Sequence, residues 1–551
     1  MNDRPIRDRK LMKEQTSRPG ADRRPAGDRK PAEGSGWSKR PGGTSARPTG
    51  GNRRPEGENG KPAAGWGKRP EGVTVRPAGE NRRPMGNHAR PAGPGRPANG
   101  TPRPVSVHCT QARRVAFDVL QDVSKEGSFA ALALDKRLEA SKMAPNDKRL
   151  CSGIVYSVLE NRMAIDYQLD RFLSNPNVEP QIRDILRIGA CQILFFDRVP
   201  DSAAVNEAVK LTRDIKLDSL SALVNAVLRS LEREKENLSW PDREKDPTGY
   251  LSVRYSMPRW IVKRLVADYG FDTAREIISF RPEKYATIIR PNLTRYTDSE
   301  FEMLMAKKVW EKEKGIIPHT WRIFGAPEIT FDRDYVAGNF TIQGESSVLC
   351  GLCAGVRPGQ TVVDACAAPG GKSTLMAELM QVTGRVFSWD VHDHRVELIR
   401  SYQRRMGLEN IRPAARDATV LREDMLGVAD VVLVDAPCMG LGVMTEKPDV
   451  KYSKAEEDVA SVVEIQRKLL DTLSQYVKRG GTLVYSTCSI LKDENERQVQ
   501  AFLASHPEFH KAPLPADVPE QIRAQDGPFG LQLLQHRDEV EGFFIVRLKR
   551  S

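Results

Sequence analysis

Short apolar runs alternate with amphipathic segments from about Thr341 to Lys549, and this alternation constrains the fold more than any other feature of the chain. Each run is short enough for a buried strand, and most are followed by residues with helical apolar spacing. The predicted strands and helices are, in order, Thr361–Val363, Ser373–Met380, Arg385–Trp389, Arg395–Met406, Val431–Val434, Lys454–Val477, Thr482–Tyr485, Glu494–Ala504 and Phe543–Leu548. This order is typical of a parallel sheet covered by helices on both faces. We therefore predict a Rossmann-like α/β domain over 339–551.

The segment 108–235 is helical in its spacing throughout. Its apolar residues recur every three or four positions, as in Val115, Val119 and Leu120, and its joins contain Gly, Pro and Asn. The pattern predicts an all-α domain. After a polar linker at 233–257, the segment up to 338 mixes predicted helices (Trp260–Tyr269, Asp298–Lys307) with short strands (Ala286–Arg290, Trp321–Phe324). We assign 248–338 to a small α+β module that positions RNA.

The first 107 residues are a low-complexity tail in which Arg-Pro or Lys-Pro recurs about every seven residues. The tail has too little apolar surface to offset the entropy of ordering, so we predict that it is disordered. It holds 24 of the 85 basic residues but only 10 of the 73 acidic ones, which leaves 61 basic and 63 acidic residues in 108–551. The net charge of +12 therefore comes from the tail, which is either an electrostatic tether for RNA or a solubilising extension.

Composition excludes several classes of protein. No apolar stretch approaches the ~18 residues of a membrane span, and no apolar run typical of a secretory signal follows Met1. The eight cysteines include one Cys-x-x-Cys, at Cys350 and Cys353, with no second pair to complete a zinc site. We expect a cytoplasmic protein with reduced thiols, no metal, no membrane or DNA partner, and a monomeric state.

A glycine-rich turn follows the first predicted strand of the α/β domain. It runs from Asp364 through Cys366, Ala367, Ala368, Pro369, Gly370 and Gly371 to Lys372. Glycines allow close approach of a ligand, and the helix that follows offers its N-terminus. A phosphate-binding loop is the competing interpretation, but its first glycine would fall at Cys366.

Acidic residues end the next two strand regions. Asp390, about twenty residues after the turn, is suited to hold ribose hydroxyls, and Asp417 lies where an adenine edge would bind. Either residue alone could instead be an N-cap or turn residue. Their position at successive strand ends favours a nucleoside-containing cofactor.

Two cysteines end the last two parallel strands, at Asp435-Ala-Pro-Cys438 and Thr487-Cys488. Either alone is more often a buried small apolar residue. Together, beside a cofactor turn, they suit methylation of cytosine at C5, in which a thiolate adds to C6 so that C5 can attack a methylsulfonium. Asp435 would hydrogen bond or protonate N3. The sequence alone leaves the roles of the two cysteines exchangeable.

The α/β domain resembles the S-adenosylmethionine-dependent RNA 5-methylcytosine methyltransferases of the Sun/RsmB family. The motifs that carry the resemblance are Asp364–Lys372, Asp390, Asp417, Asp435–Gly440, Lys447–Asp449, Tyr485–Ser489 and Glu494–Glu496. The helical domain resembles the NusB-like RNA-binding domain through Ala203–Val209 and Val224–Arg229. Together the resemblances cover about 440 residues.

The resemblance implies a class I methyltransferase fold that uses S-adenosyl-L-methionine. It implies Cys488 as the nucleophile that adds to C6 and Cys438 as the residue that assists release, with a cofactor pocket formed by 366–372, Asp390, Asp417 and Asp435. The expected substrate is cytosine C5 in ribosomal RNA, most simply 16S rRNA. The alternatives are a methyltransferase acting on tRNA or other RNA, and a non-catalytic RNA-binding factor, for which the cysteine pair would have no use.

Overall fold

The computed structural model describes residues 107–126, 129–325 and 328–551. The tail predicted to be disordered lies outside these residues, except for Val107. The first domain is a bundle of helices, as predicted. The helices are α1 (Gln111–Glu126), α2 (Ala130–Ala140), α3 (Pro145–Asp170), α4 (Pro180–Phe195), α5 (Asp201–Asp214) and α6 (Ser221–Glu234). The helices α3 and α4 begin with proline. The missing N–H of proline costs no hydrogen bond there, because the first N–H groups of a helix have no acceptor within the helix. One apolar core is shared by these helices.

Three short helices follow: α7 (Pro247–Arg254), α8 (Arg259–Tyr269) and α9 (Phe271–Ser279). The helix α7 lies inside the segment predicted to be a polar linker. Asp246 caps it, because its carboxylate accepts the backbone N–H of Gly249 at 2.9 Å. The apolar faces of these helices pack against Met439, Leu441 and Ile490, which are neighbours of the two predicted catalytic cysteines.

A four-stranded antiparallel sheet completes the middle region. Its order is β2 (Glu311–Lys314), β3 (Trp321–Phe324), β1 (Ala286–Pro291) and β4 (Phe340–Ile342), with α10 (Asp298–Ala306) and α11 (Arg333–Val336) in the connections. The two strands and two helices predicted here are confirmed. The predicted domain limit at 338/339 falls just before β4, which pairs with β1.

The C-terminal region is an eight-stranded sheet, with the order β10-β12-β9-β8-β5-β6-β7 and β11 paired to β12. The strands are β5 (Thr361–Asp364), β6 (Arg385–Asp390), β7 (Ile411–Ala415), β8 (Ala429–Asp435), β9 (Val477–Thr487), β10 (Phe509–Lys511), β11 (Leu531–Leu533) and β12 (Phe543–Arg550). The helices are α12 (Glu345–Cys353), α13 (Gly371–Leu379), α14 (Asp393–Met406), α15 (Asp458–Ser474), α16 (Glu496–Ser505), α17 (Glu520–Arg523) and α18 (Gln535–Asp538). Separate apolar cores cover the two faces of the sheet. The Rossmann-like fold is confirmed.

Strands β9, β8, β5, β6 and β7 run parallel, so their carboxyl ends lie at one edge of the sheet. Strands β6 and β8 lie on opposite sides of β5, so the strand order changes direction at β5. This arrangement opens a crevice at the end of β5. The last strand, β12, enters antiparallel beside β9. In the described part of the chain, no helix combines the length and apolarity that crossing a membrane requires.

Candidate active site

The two cysteines predicted to carry the chemistry lie in contact. Their sulfur atoms are 3.1 Å apart, although fifty residues separate them in the chain. Cys438 follows the end of β8 and Cys488 follows the end of β9, and these strands are parallel neighbours in which Asp435 pairs with Ser486. Both residues are half-buried and neither forms a disulfide. The sheet register therefore brings two free thiols to one point.

The surroundings of the two thiols differ in charge. A hydrogen bond from the Cys438 thiol lowers the pKa of Cys488, and the positive charges of Lys372 and Lys447 act in the same direction. The same hydrogen bond, burial and the negative charge of Glu494 raise the pKa of Cys438 well above its ordinary value. The site therefore favours a thiolate at Cys488 and a protonated thiol at Cys438.

Lys372 connects the cofactor turn to the cysteine strands. Its ammonium group lies 2.6 Å from the Oδ2 of Asp435 and 5.4 Å from the centre of the Phe543 ring. Ser486 donates to the other oxygen of Asp435 at 2.9 Å. Burial alone would lower the pKa of Lys372, but Asp435 and its other acidic neighbours raise it overall, so the lysine stays charged. Asp435 is thus an ion-paired carboxylate beside the thiols.

The backbone of the glycine-rich turn holds it against β6. The N–H of Ala367 donates to the carbonyl of Trp389 in β6 at 2.7 Å. Cys366 is half-buried, and the peptide bond between Ala368 and Pro369 is cis. Gly370 has a φ of +113°, and a Cβ there would lie 3.3 Å from the Cα of Ile399. Gly370 therefore allows the turn to close over the N-terminus of α13, which Gly371 begins.

Asp364, at the end of β5, has one buried carboxylate oxygen that accepts no hydrogen bond from the described residues. Ser373 donates to its Oδ2 at 2.6 Å, and Ser388 donates in turn to Ser373 at 2.7 Å. Its Oδ1 is buried and has no partner among the described residues. Burial raises the pKa of Asp364 to about 7. An acceptor in this position fits a ligand that brings its own donor, such as an amino group.

The acidic residues at the ends of β6 and β7 differ in exposure. Asp390 is buried and pairs with Arg395 at 3.3 Å. Asp417 is exposed, and it accepts hydrogen bonds from the backbone and the hydroxyl of Thr419 at 2.9 and 2.6 Å, which lower its pKa. The crevice therefore holds a buried carboxylate next to the turn and an exposed one further out. This set of donors and acceptors suits the amino acid, ribose and base of a nucleoside cofactor.

Three buried polar side chains behind the cysteines were not assigned a role from the sequence. Glu494, Asn495 and Gln466 hydrogen bond to the residues on either side of Cys438 and Cys488. Glu494 and Asn495 follow Cys488 closely, and the sequence signals them as part of the motif Glu494–Glu496 that carries the family resemblance, without giving them a role. Gln466 gives none, because a glutamine in the middle of a helix is ordinary.

The other cysteines near the site are structural. Cys350 and Cys353 lie buried in α12, where burial raises the pKa of both thiols. No group of His, Cys, Asp and Glu able to hold a metal ion occurs among the residues that the structure describes. The Cys-x-x-Cys motif therefore belongs to the core under the sheet.

Two family models match the chain. Residues 353–549 match the model described as 16S rRNA methyltransferase RsmB/F, and residues 110–233 match the model of the NusB family. A "Probable ribosomal RNA small subunit methyltransferase B" of Bacillus subtilis is 34% identical over 447 residues, which cover 80% of this chain and 99% of that protein. A protein of the same name from Synechocystis is 30% identical with the same two coverages.

A solved structure shows that the likeness extends to three dimensions. The crystal structure of PH0851 superposes with a TM-score of 0.67 and 25% sequence identity, covering 80% of this chain and 99% of that one. The match therefore spans the helical domain, the middle region and the α/β domain together.

Proposed function

Because this chain belongs to the ribosomal RNA small subunit methyltransferase B family, we propose that it transfers a methyl group from S-adenosyl-L-methionine to C5 of a cytosine in 16S ribosomal RNA. The observation that carries the proposal is the contact of two free thiols, 3.1 Å apart, beside the half-buried Lys372. C5 of cytosine is a poor nucleophile, and a thiolate at C6 is the standard means of activating it.

In the proposed reaction, Cys488 attacks and Cys438 assists release. The lowered pKa of Cys488 supplies the thiolate, which forms a bond to C6 and makes C5 nucleophilic. After C5 has gained the methyl group, a base must take the C5 proton, so that the C5–C6 double bond re-forms while the Cys488–C6 bond breaks and returns the thiolate. Cys438, in contact with Cys488, is placed to act in this second half.

Asp435 and Lys372 face the same space as the Cys488 sulfur and are assigned to the polar edge of the base. Addition at C6 puts negative charge on the ring, part of which resides at N3. The carboxylate of Asp435, which accepts a hydrogen bond from Lys372 at 2.6 Å, can accept a second one from N3 once N3 has been protonated. The positive charge of Lys372 also stabilises the attacking thiolate.

S-Adenosylmethionine supplies a methyl group on a sulfonium, and the crevice at the end of β5 fits it. The unpartnered Oδ1 of Asp364 would accept a hydrogen bond from the amino group of the cofactor, and Asp390 would accept hydrogen bonds from its ribose. The exposed edge near Asp417 would contact the adenine. The turn 366–372 allows close approach through Gly370. The chain's part is to hold the donor while excluding water.

The RNA must present an unstacked base. A thiol at the end of a strand cannot reach C6 inside a helix, so the cytosine is either single-stranded or turned out of its stack. The helical domain and the middle region are assigned to hold the surrounding RNA. This assignment rests on the match of the helical domain to the NusB family.

The direct test is methyl transfer to purified RNA. The protein is incubated with methyl-labelled S-adenosylmethionine and either 16S rRNA or bulk tRNA, and the modified nucleoside is identified after digestion. We expect 5-methylcytidine in the 16S rRNA only. Label in tRNA, or on another atom of the base, would contradict the proposal.

A matched pair of cysteine variants links the product to the site. Cys488→Ala should abolish label, whereas Cys191→Ala, at a buried cysteine in the helical domain, should retain it.

A further inference from the structure

Glu494 is a fully buried carboxylate that lies between the two cysteine turns. One oxygen accepts the backbone N–H of Met439, the residue after Cys438, at 2.9 Å. The other accepts the hydroxyl of Ser489, the residue after Cys488. A single side chain thus connects the two turns that carry the thiols.

Gln466 of α15 extends this connection to the other side of Cys438. Its amide nitrogen donates to Glu494 at 3.0 Å and to the carbonyl of Pro437 at 2.9 Å. Cys438 is therefore fixed by hydrogen bonds to the residue before it and the residue after it.

Asn495 does the same for Cys488. Its side-chain oxygen accepts the hydroxyl of Thr487 at 2.6 Å, and its nitrogen donates to the carbonyl of Ser489 at 3.0 Å. We call Glu494, Gln466 and Asn495 the thiol clamp. Their hydrogen bonds go to backbone atoms and hydroxyl groups of the residues beside the cysteines, so the clamp acts on the turns and not on the sulfur atoms.

The charge of Glu494 acts unequally on the two thiols. It is among the causes that raise the pKa of Cys438, whereas Lys372 and Lys447 lower that of Cys488. A charge at Glu494 therefore disfavours a thiolate at Cys438 and leaves it at Cys488.

Among the residues that the structure describes, the titratable groups that face Glu494 are Cys438, Asp493 and Tyr485, whose hydroxyl donates to the backbone carbonyl of Glu494 at 2.6 Å. Burial first, and then the charge of Asp493, raise the pKa of Glu494 above its ordinary range.

We propose that Glu494 is a positioning residue, which holds the turns of Cys438 and Cys488 in contact and, through its negative charge, keeps the shared proton on Cys438. The inference deepens the proposed function, since it explains why only one of two adjacent thiols is the nucleophile. It needs no contact between Glu494 and the substrate.

Two variants separate the geometric part from the charge. In Glu494→Gln the amide oxygen can accept from Met439 and Gln466, and the amide nitrogen can donate to Ser489, so the turns stay connected while the charge is lost. Glu494→Ala removes the connection as well and leaves a buried N–H without an acceptor.

The readout is alkylation of the full-length protein by iodoacetamide without RNA, followed separately at Cys438 and Cys488 by peptide mass spectrometry from pH 6 to 9. In the wild type we expect Cys488 to react at least about tenfold faster, since one unit of pKa difference is a tenfold difference in thiolate. In Glu494→Gln the ratio should fall severalfold near pH 8. Because the pKa of Glu494 is raised, the difference between the two proteins should shrink as the pH falls.

Glu207→Gln is the matched control, because Glu207 is a buried carboxylate in the helical domain that also accepts a backbone N–H, from Thr110 at 2.7 Å. It should leave the alkylation ratio unchanged.

Methylation by Glu494→Gln should show a kcat reduced about tenfold or more, with the KM for RNA within about twofold of the wild type. Equal alkylation ratios in the wild type and Glu494→Gln at every pH would overturn the inference. Since the alkylation needs no RNA, its outcome is independent of whether the RNA substrate has been assigned correctly.

Discussion

Lys372 is the side chain on which the electrostatics of the site depends. It belongs to the glycine-rich turn by sequence, yet its ammonium group pairs with Asp435 and lowers the pKa of Cys488. One residue therefore couples the cofactor crevice to the nucleophile. The sequence predicted this lysine as a cofactor ligand, and the structure adds its contact with the thiol pair.

Lys372→Met should change the pH dependence of methylation. Without the positive charge, the pKa of Cys488 rises, so the thiolate is scarcer at neutral pH and recovers as pH increases. We expect activity at pH 7 to fall about tenfold or more and the loss to be smaller at pH 9. Measured kcat values between pH 6 and 9.5 check this.

Lys468→Met is the control for this prediction, because Lys468 is exposed on α15, where it pairs with Glu464. It should show the wild-type pH profile. A loss of activity in Lys372→Met that is equal at all pH values would argue that the lysine has no effect on the ionisation of Cys488.

At the scale of elements, the turns after β8 and β9 are packed against each other through backbone. Gly442 donates to the carbonyl of Cys488 at 2.9 Å and accepts from Gly542 at 2.9 Å. A Cβ on Gly442 would lie 1.9 Å from the carbonyl oxygen of Gly542 and 2.9 Å from that of Cys488. The two cysteine turns and the start of β12 therefore approach as closely as glycine permits.

Gly442→Ala should impair catalysis by displacing the Cys488 turn. We expect kcat to fall by a factor of about ten to a hundred, because displacements of about 1 Å at a reacting group have costs of this size. Gly427→Ala is the control: Gly427 has a positive φ, but a Cβ there meets nothing within 4 Å. Its effect should be limited to backbone strain of about 1 kcal/mol in stability. Comparable kcat values for the two variants would contradict the prediction.

The longer elements of the α/β domain could be predicted from the sequence, and the shorter ones could not. Apolar runs such as Val431–Val434 fall within β8, and the helix predicted at Arg395–Met406 lies within α14. The strands β10 and β11 have three residues each, too few to show a period, and they exist because β12 offers them an edge. The helix α7 was missed because its eight residues are too few to show a helical period and include Pro247 and Gly249, which are typical of linkers.

At the scale of the whole molecule, the loop that follows the Cys438 turn contacts the helical domain. Asp449 accepts the backbone N–H of Ala130 at the start of α2, at 3.1 Å. The buried Lys451 donates to the carbonyl of Glu160 in α3 at 2.9 Å. Such contacts join residues about 300 positions apart, so no local pattern could predict them. They tie the α/β domain to the domain assigned to RNA.

Lys451 should make the stability of this contact depend on pH. Burial lowers its pKa from 10.5 to about 7, so the unfolded chain binds more protons between these two values. The free energy of unfolding should rise with pH across this window, by up to about 5 kcal/mol relative to a Lys451→Met variant, and this gain should be lost as pH falls from 10.5 to 7. Urea unfolding of both proteins at several pH values between 6 and 10 measures the difference. Parallel pH profiles would show that Lys451 keeps its charge in the folded protein.

The most direct test of the division of roles between the cysteines is a search for the covalent intermediate. Cys438→Ala is incubated with 16S rRNA and S-adenosylmethionine, denatured and digested, and the cross-linked peptide is identified by mass spectrometry. We predict a methylated cytidine attached to Cys488, and neither adduct nor product with Cys488→Ala. An adduct on Cys438 in the Cys488→Ala protein, or normal turnover by that protein, would contradict the account.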